Sequence, residues 1–66
     1  MFKIGMFKIG DNVIFLYKGK NYAAEVVDVK EYDNTVEYVA KVPNGQRYSI
    51  KYYKDKDKWE SFKWEV

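Results

Sequence analysis

Hydrophobic and polar positions alternate along most of this chain, and a period of two residues predicts β-strands. β-branched and aromatic residues dominate the alternating stretches, and segments rich in Gly, Asn, Asp or Lys separate them as turns. The predicted strands are 12–18, 22–31, 36–42 and 46–53. In the second strand, we expect Val27 and Val29 to face away from Tyr22, Ala24 and Val26.

The C-terminal segment 59–66 fits two periods. Trp59, Phe62 and Val66 have helical spacing, whereas Phe62, Trp64 and Val66 have strand spacing, and we predict a short strand. Because no other window sustains a helical period, the sequence predicts an all-β fold, a small five-stranded, strongly bent, SH3-like β-barrel. Barrel closure would protect the apolar strand edges from aggregation.

The N-terminus contains a duplication, because residues 1–5 are repeated as residues 6–10. Only one copy is needed to enter the fold. We therefore expect residues 1–5 to be a disordered terminus and residues 6–66 to form a single domain.

The composition excludes several kinds of chemistry. With 66 residues, Cys 0 and His 0, the chain has no disulfide, no thiolate zinc site and no histidine base. Acidic residues surround one predicted hairpin without calcium-loop spacing, so no metal site is expected. They are Asp28, Glu31, Asp33 and Glu37. We predict a protein that is not an enzyme and that needs no cofactor.

The charge balance gives a weaker constraint. Twelve basic and ten acidic residues leave a net charge of +2, far below the excess typical of a dedicated nucleic-acid binder. Lysines cluster near the end of the chain, but acidic residues are interleaved with them, so a solvated loop is preferred to a nucleic-acid surface. The lysines in question are Lys51, Lys54, Lys56 and Lys58. No apolar run is long enough for a membrane span, and we expect a soluble intracellular protein.

Four segments occur in a distinctive order. They are Gly10-Asp11-Asn12-Val13, Tyr22-Ala23-Ala24-Glu25-Val26-Val27-Asp28-Val29, Tyr48-Ser49-Ile50-Lys51-Tyr52 and Lys58-Trp59-Glu60-Ser61-Phe62. Together they resemble the chromo barrel, or tudor-knot, domain of MRG-type and male-specific-lethal-type chromatin proteins. The resemblance extends over about residues 7–62.

This resemblance implies a non-catalytic chromatin reader that binds methylated lysine of histone tails. Tyr17, Tyr22, Tyr52 and Trp59 fall on the family's aromatic-cage positions, where ring faces attract an alkylated ammonium. Asp55 replaces a family tryptophan, and as an acidic cage wall it would favour lower methylation states. The resemblance further implies a nuclear, monomeric module within a larger chromatin protein or complex.

Two other functions stay open. Related barrels of acetyltransferases are associated with nucleic acid, so the chain could be an RNA- or DNA-binding barrel that uses the lysine cluster. It could also be a protein-interaction barrel with an incomplete cage. The cage tyrosines and Trp59 could instead fill the core, and we expect Phe15, Phe62 and Trp64 to do so.

Overall fold

A computed structural model describes residues 7–65 as five β-strands, with no helix in that range. The strands are β1 Asn12–Tyr17, β2 Lys20–Glu31, β3 Thr35–Lys41, β4 Arg47–Tyr53 and β5 Lys58–Lys63. The predicted all-β fold and the C-terminal strand are confirmed. The prediction for residues 1–5 lies outside the described residues, as does Val66.

The five strands form one antiparallel sheet in the order β1-β2-β3-β4-β5, curled into a half-barrel. In such a meander, successive turns alternate between the two ends of the sheet. The β1–β2 and β3–β4 turns therefore lie at one end, and the β2–β3 and β4–β5 turns lie at the other. In the described chain β1 pairs only with β2 and β5 only with β4, so each keeps one unpaired edge.

The concave face holds the core. Its largest fully buried side chains are Tyr38 and Val26, on neighbouring strands. The other buried members are Val13, Phe15, Ala24, Ala40, Val42, Tyr48 and Ile50. Large rings and small alanines therefore alternate across the sheet, and this lets a short chain fill a tightly curved interior.

A β-bulge in β2 corrects one prediction about the strand faces. Val26 pairs with Ala40, but the next paired residue is Asp28, which lies opposite Val39. The inserted Val27 shifts the alternation by one position. Val29 consequently packs against the core together with Val26, although simple alternation predicts opposite faces.

A smaller packed cluster covers part of the convex face. Val39 and Ser49 are buried there, and the Trp64 indole Nε1–H donates a 2.7 Å hydrogen bond to Ser49 Oγ. Phe62 and Trp64 nevertheless remain 45% and 40% exposed. The prediction that these two rings belong to the core is therefore wrong, whereas the prediction for Phe15 is confirmed.

The β1–β2 turn consists of Lys18 and Gly19, with φ of 49° and 80°. Positive φ at both central residues is the signature of the two-residue hairpin turn that matches the twist of the strands. The turn fixes the register in which Phe15 pairs with Tyr22.

Candidate ligand-binding groove

The four predicted cage rings do not form one enclosure. The centroids of Tyr17 and Tyr22 lie 6.3 Å apart, and each ring also contacts Tyr48. Tyr52 and Trp59 form a separate pair, with 4.7 Å between centroids. Among the described residues, no aromatic contact joins the first pair to the second.

The meander topology explains this separation. Tyr17 and Tyr22 flank the β1–β2 turn, whereas Tyr52 and Trp59 flank the β4–β5 turn at the opposite end of the sheet. Tyr48 and Tyr52 mark the two ends on β4, and four residues of strand correspond to about 13 Å. A single cage built from these four side chains would need both turns at the same end.

Neither ring pair presents two parallel faces, because the interplanar angle is 59° for Tyr17 and Tyr22 and 40° for Tyr52 and Trp59. The rings of Tyr17 and Tyr48 likewise meet edge to face with centroids 5.2 Å apart. The chain's own Lys18 places its Nζ 5.5 Å from the Tyr17 ring centroid.

Tyr52 takes part in a polar contact at the other end. Its hydroxyl donates a 2.7 Å hydrogen bond to Asp57 Oδ1, and this bond, with burial and the nearby negative charge, raises the pKa of Tyr52. Asp55 is exposed in the same turn. The structure therefore does not place Asp55 as the wall of an aromatic cage.

A different site lies between β1 and β5, which are not paired with each other. This β1–β5 groove has a volume of about 390 Å³, within the range of about 300–1,000 Å³ of small-ligand sites. It is lined by Phe7, Val13, Ile14, Phe15, Leu16, Ile50, Trp59 and Ser61. Ser61 is the polar member of that lining, which includes no charged side chain.

Three aromatic residues line this groove, and only one was predicted as a site residue. Trp59 contacts Phe7, with 6.0 Å between centroids, and Tyr38, at 6.3 Å. Phe15 is held by Tyr22 and Tyr48. Sequence reasoning missed Phe7 and Phe15 as groove residues because a ring beside an open seam has the same alternation as a core ring.

The lysine cluster is dispersed. Lys54 Nζ forms an ion pair with Glu31 Oε2 at 2.9 Å, and the resulting hydrogen bond and charge attraction lower the pKa of Glu31. Lys51 Nζ lies 5.3 Å from the ring centroid of Phe62 on the convex face. Lys56 and Lys58 are exposed at the β4–β5 turn. Of the four predicted nucleic-acid contacts, Lys56 and Lys58 therefore share one environment, while Lys51 and Lys54 each contact a different residue.

Across residues 7–65, no group of three or more potential metal-binding side chains converges. The same part of the chain contains no helix capable of crossing a membrane.

The fold and the groove together define a class of protein, the small antiparallel half-barrels with an aromatic-lined cleft. Comparison with protein-family models, curated proteins and solved structures found no match to this chain. Membership of the chromo barrel family therefore stays a prediction.

Proposed function

We propose that the protein is a non-catalytic binding module whose β1–β5 groove holds a methylated lysine side chain of a peptide. The observation that supports this proposal is the uncharged groove lined by the rings of Phe7, Phe15 and Trp59. Ring faces attract cations, and proteins use such aromatic sites to recognise quaternary ammonium groups, including methylated lysine. The proposal keeps Trp59 as a recognition ring and replaces the other three cage residues.

The polarity of the lining favours a methylated over an unmodified lysine. An unmodified ammonium carries three N–H donors, and burial without acceptors is costly. In the groove, the side-chain acceptor is Ser61 Oγ. A trimethylated ammonium has no N–H donor to satisfy. The expected preference is therefore for high methylation states, the opposite of the preference that an Asp55 wall would give.

The rim of the groove fits the aliphatic part of such a side chain. Ile14 and Leu16 line the groove from β1 while remaining 77% and 61% exposed. They provide an apolar surface for the methylene groups of lysine outside the ring-lined interior. Burial of each methylene contributes about 0.8 kcal/mol.

The expected affinity is modest. A ring contact with a cation contributes about 0.5–2 kcal/mol, so three rings contribute about 1.5–6 kcal/mol, which corresponds to dissociation constants from about 0.1 M down to about 0.04 mM. Affinities of this size suit a module that acts beside others in a larger chromatin protein, as the family resemblance implies. A histone tail in the nucleus is the peptide source that this resemblance suggests.

The experiment is a titration of the full chain with histone-derived peptides that carry an unmodified or a trimethylated lysine, followed by amide chemical shifts. We expect shifts at residues that line the groove and at least about tenfold tighter binding of the trimethylated peptide. Trp59→Ala should abolish binding, and Trp59→Phe should retain part of it. Tyr17→Ala is the matched control, because Tyr17 lies at the opposite end of the sheet.

Three results would contradict the proposal. Equal binding of both peptides would remove the role of the alkylated cation. Loss of binding in a folded Tyr17→Ala variant, with Trp59→Ala still active, would move the site to the other ring cluster. Shifts caused by a short RNA, but not by either peptide, would favour a nucleic-acid-binding barrel, provided that they weaken steeply with added salt.

A further inference from the structure

Three lysines surround one end of the half-barrel, beside the β1–β2 turn. Lys20 pairs with Tyr17, and Lys63 pairs with Tyr48. Directly opposed residues of antiparallel strands share a face, and both tyrosines pack in the core, so Lys20 and Lys63 lie on the concave face. Lys18 places its Nζ 5.5 Å from the ring centroid of Tyr17, which lies 5.2 Å from that of Tyr48. We call Lys18, Lys20 and Lys63 the lysine mouth.

No carboxylate of residues 7–65 forms an ion pair with a lysine of this mouth. Residues 12–24, which comprise β1, the turn and the start of β2, include no Asp or Glu. At the other end of the sheet, by contrast, carboxylates accompany the lysines of both turns, and Lys54 is paired with Glu31. These carboxylates are Glu31, Asp33, Asp55 and Asp57.

The other charges at this end do not cancel the positive charge of the mouth. Along β2 and β5, the acidic residues that come next to the mouth are Glu25, Glu60 and Glu65. Glu60 faces the convex side, because it alternates with Ser61 of the groove. Glu25 lies opposite Lys41 on β3. Glu65 lines a separate cavity of about 620 Å³ together with two further cations, Lys41 and Arg47. The end of the molecule that carries the mouth is therefore positive overall.

The lysine mouth continues the β1–β5 groove. Trp59 lines the groove from β5, and Lys63 lies four residues further along the same face, a distance of about 13 Å. On β1, Tyr17 follows the groove-lining Phe15 on one face, and Lys18 comes directly after it. In this meander β1 and β5 run in the same direction, so both walls of the groove lead to the mouth.

We propose that the peptide bound in the β1–β5 groove carries an acidic residue about four positions from its methylated lysine, and that the lysine mouth binds the carboxylate of that residue. This inference rests on the proposed function, because it names a second feature of the same peptide. An extended peptide advances about 3.3 Å per residue, so four residues span the distance from Trp59 to Lys63. Ammonium groups form charge-assisted hydrogen bonds with a carboxylate, and the carboxylate also reduces the repulsion among three like charges.

Synthetic peptides with one trimethylated lysine test this inference in a titration of the full chain, followed by amide chemical shifts. Each peptide carries Glu or Gln at one position, which is four residues before the lysine, four residues after it, or directly beside it. We expect Glu to bind roughly threefold to tenfold tighter than Gln at one of the two distant positions, and to gain less beside the lysine. The gain should shrink with added salt, because exposed charges are screened.

Charge-removing variants locate the carboxylate. A chain with both Lys20→Gln and Lys63→Gln should bind the Glu and Gln peptides with about equal affinity, because two of the three cations of the mouth are gone. A chain with both Lys56→Gln and Lys58→Gln is the matched control, since it loses the same charge at the β4–β5 turn. This control should keep the ratio of affinities that the parent chain shows. All four lysines are exposed, so neither double variant disturbs the core.

Four results would overturn the inference. If the trimethylated peptides bind but Glu gives no gain at either distant position, the mouth does not bind the peptide, while the proposed function stands. A gain that the Lys20 and Lys63 substitutions leave intact would place the carboxylate elsewhere. A short RNA that shifts the amides of the mouth, when no peptide does, would make the mouth a phosphate-binding surface instead. If none of the peptides binds, the proposed function itself fails, and this inference fails with it.

Discussion

The indole of Trp64 and the hydroxyl of Ser49 are joined by a 2.7 Å hydrogen bond across the convex face of β4 and the residues that follow β5. The same hydroxyl donates a 2.7 Å hydrogen bond to Glu37 Oε2 on β3. One buried serine therefore connects β3 on one side with the segment that follows β5 on the other. This link holds the C-terminal segment against the sheet and covers Val39, which would otherwise face solvent.

Ser49→Ala should be destabilising, because it leaves the Trp64 N–H and a Glu37 carboxylate oxygen without this partner. The expected loss in the free energy of unfolding is about 1–3 kcal/mol. Urea denaturation measures it. Ser61→Ala, a serine on β5 that lines the groove, is the matched control and should cost less. Equal losses in the two variants would show that the hydrogen-bonded link contributes nothing specific.

Val26 and Val27 allow a test of the β-bulge in β2, because these adjacent valines differ in burial. Val26 is fully buried, whereas Val27 is the inserted, half-buried residue. Val26→Ala should lower the free energy of unfolding by about 2–3 kcal/mol through lost burial and a residual cavity. Val27→Ala should cost less than about 1 kcal/mol. Similar losses at both positions would argue against the bulge.

Much of this architecture could be predicted from the chain. Alternation and turn residues indicated all five strands, because each strand has one face against the core. The bulge at Val27 could not be predicted, since an inserted valine looks like any other strand residue. The exposure of Phe62 and Trp64 was missed because large rings usually indicate burial.

The candidate site was predicted less well, although the order of the strands already carried part of the answer. Tyr22 and Trp59 belong to the first and the fourth turn of a five-stranded meander, and these turns necessarily lie at opposite ends. Counting turns along the chain is therefore enough to separate the two rings. The groove itself could not be predicted, because whether β1 and β5 pair or leave a cleft depends on the curvature of the whole sheet.

Lys18 offers a stabilising substitution. It adopts φ of 49°, a left-handed conformation that costs about 1–2 kcal/mol for most residues and less for Asn. Lys18→Asn creates the Asn-Gly pair that two-residue hairpins prefer, and it should raise the free energy of unfolding by about 0.5 kcal/mol. Thermal unfolding measures the gain. Lys20→Asn, at the first position of β2, should not raise the free energy of unfolding. If it did, the gain from Lys18→Asn could not be attributed to the turn conformation.

The raised pKa values of several tyrosines predict that the folded protein loses stability at alkaline pH. The pKa values of Tyr38 and Tyr48 are raised mainly by burial, and those of Tyr52 and Tyr53 mainly by hydrogen bonds to Asp57 and Glu60. A raised pKa in the folded state means that the unfolded chain releases its proton first as the pH rises. The corresponding stability is complete below the ordinary pKa of 10.0 and is lost as the pH rises through the folded-state values.

Asp57→Asn tests this assignment at one residue. Removing the carboxylate that accepts the hydrogen bond of the Tyr52 hydroxyl should lower the pKa of Tyr52 toward its ordinary value and leave the pKa of Tyr53 unchanged. Glu60→Gln should lower the pKa of Tyr53 and leave the pKa of Tyr52 unchanged, because the Tyr53 hydroxyl donates a 3.0 Å hydrogen bond to Glu60 Oε1. Ring resonances followed through an alkaline titration distinguish the two tyrosines. If either variant shifted both pKa values equally, the effect would be one of general charge.

Ser61 permits a designed change in ligand preference that follows from the uncharged groove. Ser61→Glu would introduce a carboxylate beside Trp59 and Ile50, where it could accept hydrogen bonds from a lysine that still carries N–H donors. The preference should therefore shift from trimethylated toward monomethylated or unmodified lysine, by roughly tenfold or more, since a charged hydrogen bond contributes about 1.5–3 kcal/mol. Peptide titrations of the parent and variant chains measure the ratio. Ser61→Gln, which has similar size and no charge, should leave the order of preference unchanged. If both variants altered the preference alike, the shape of the groove rather than its missing charge would determine which lysine it selects.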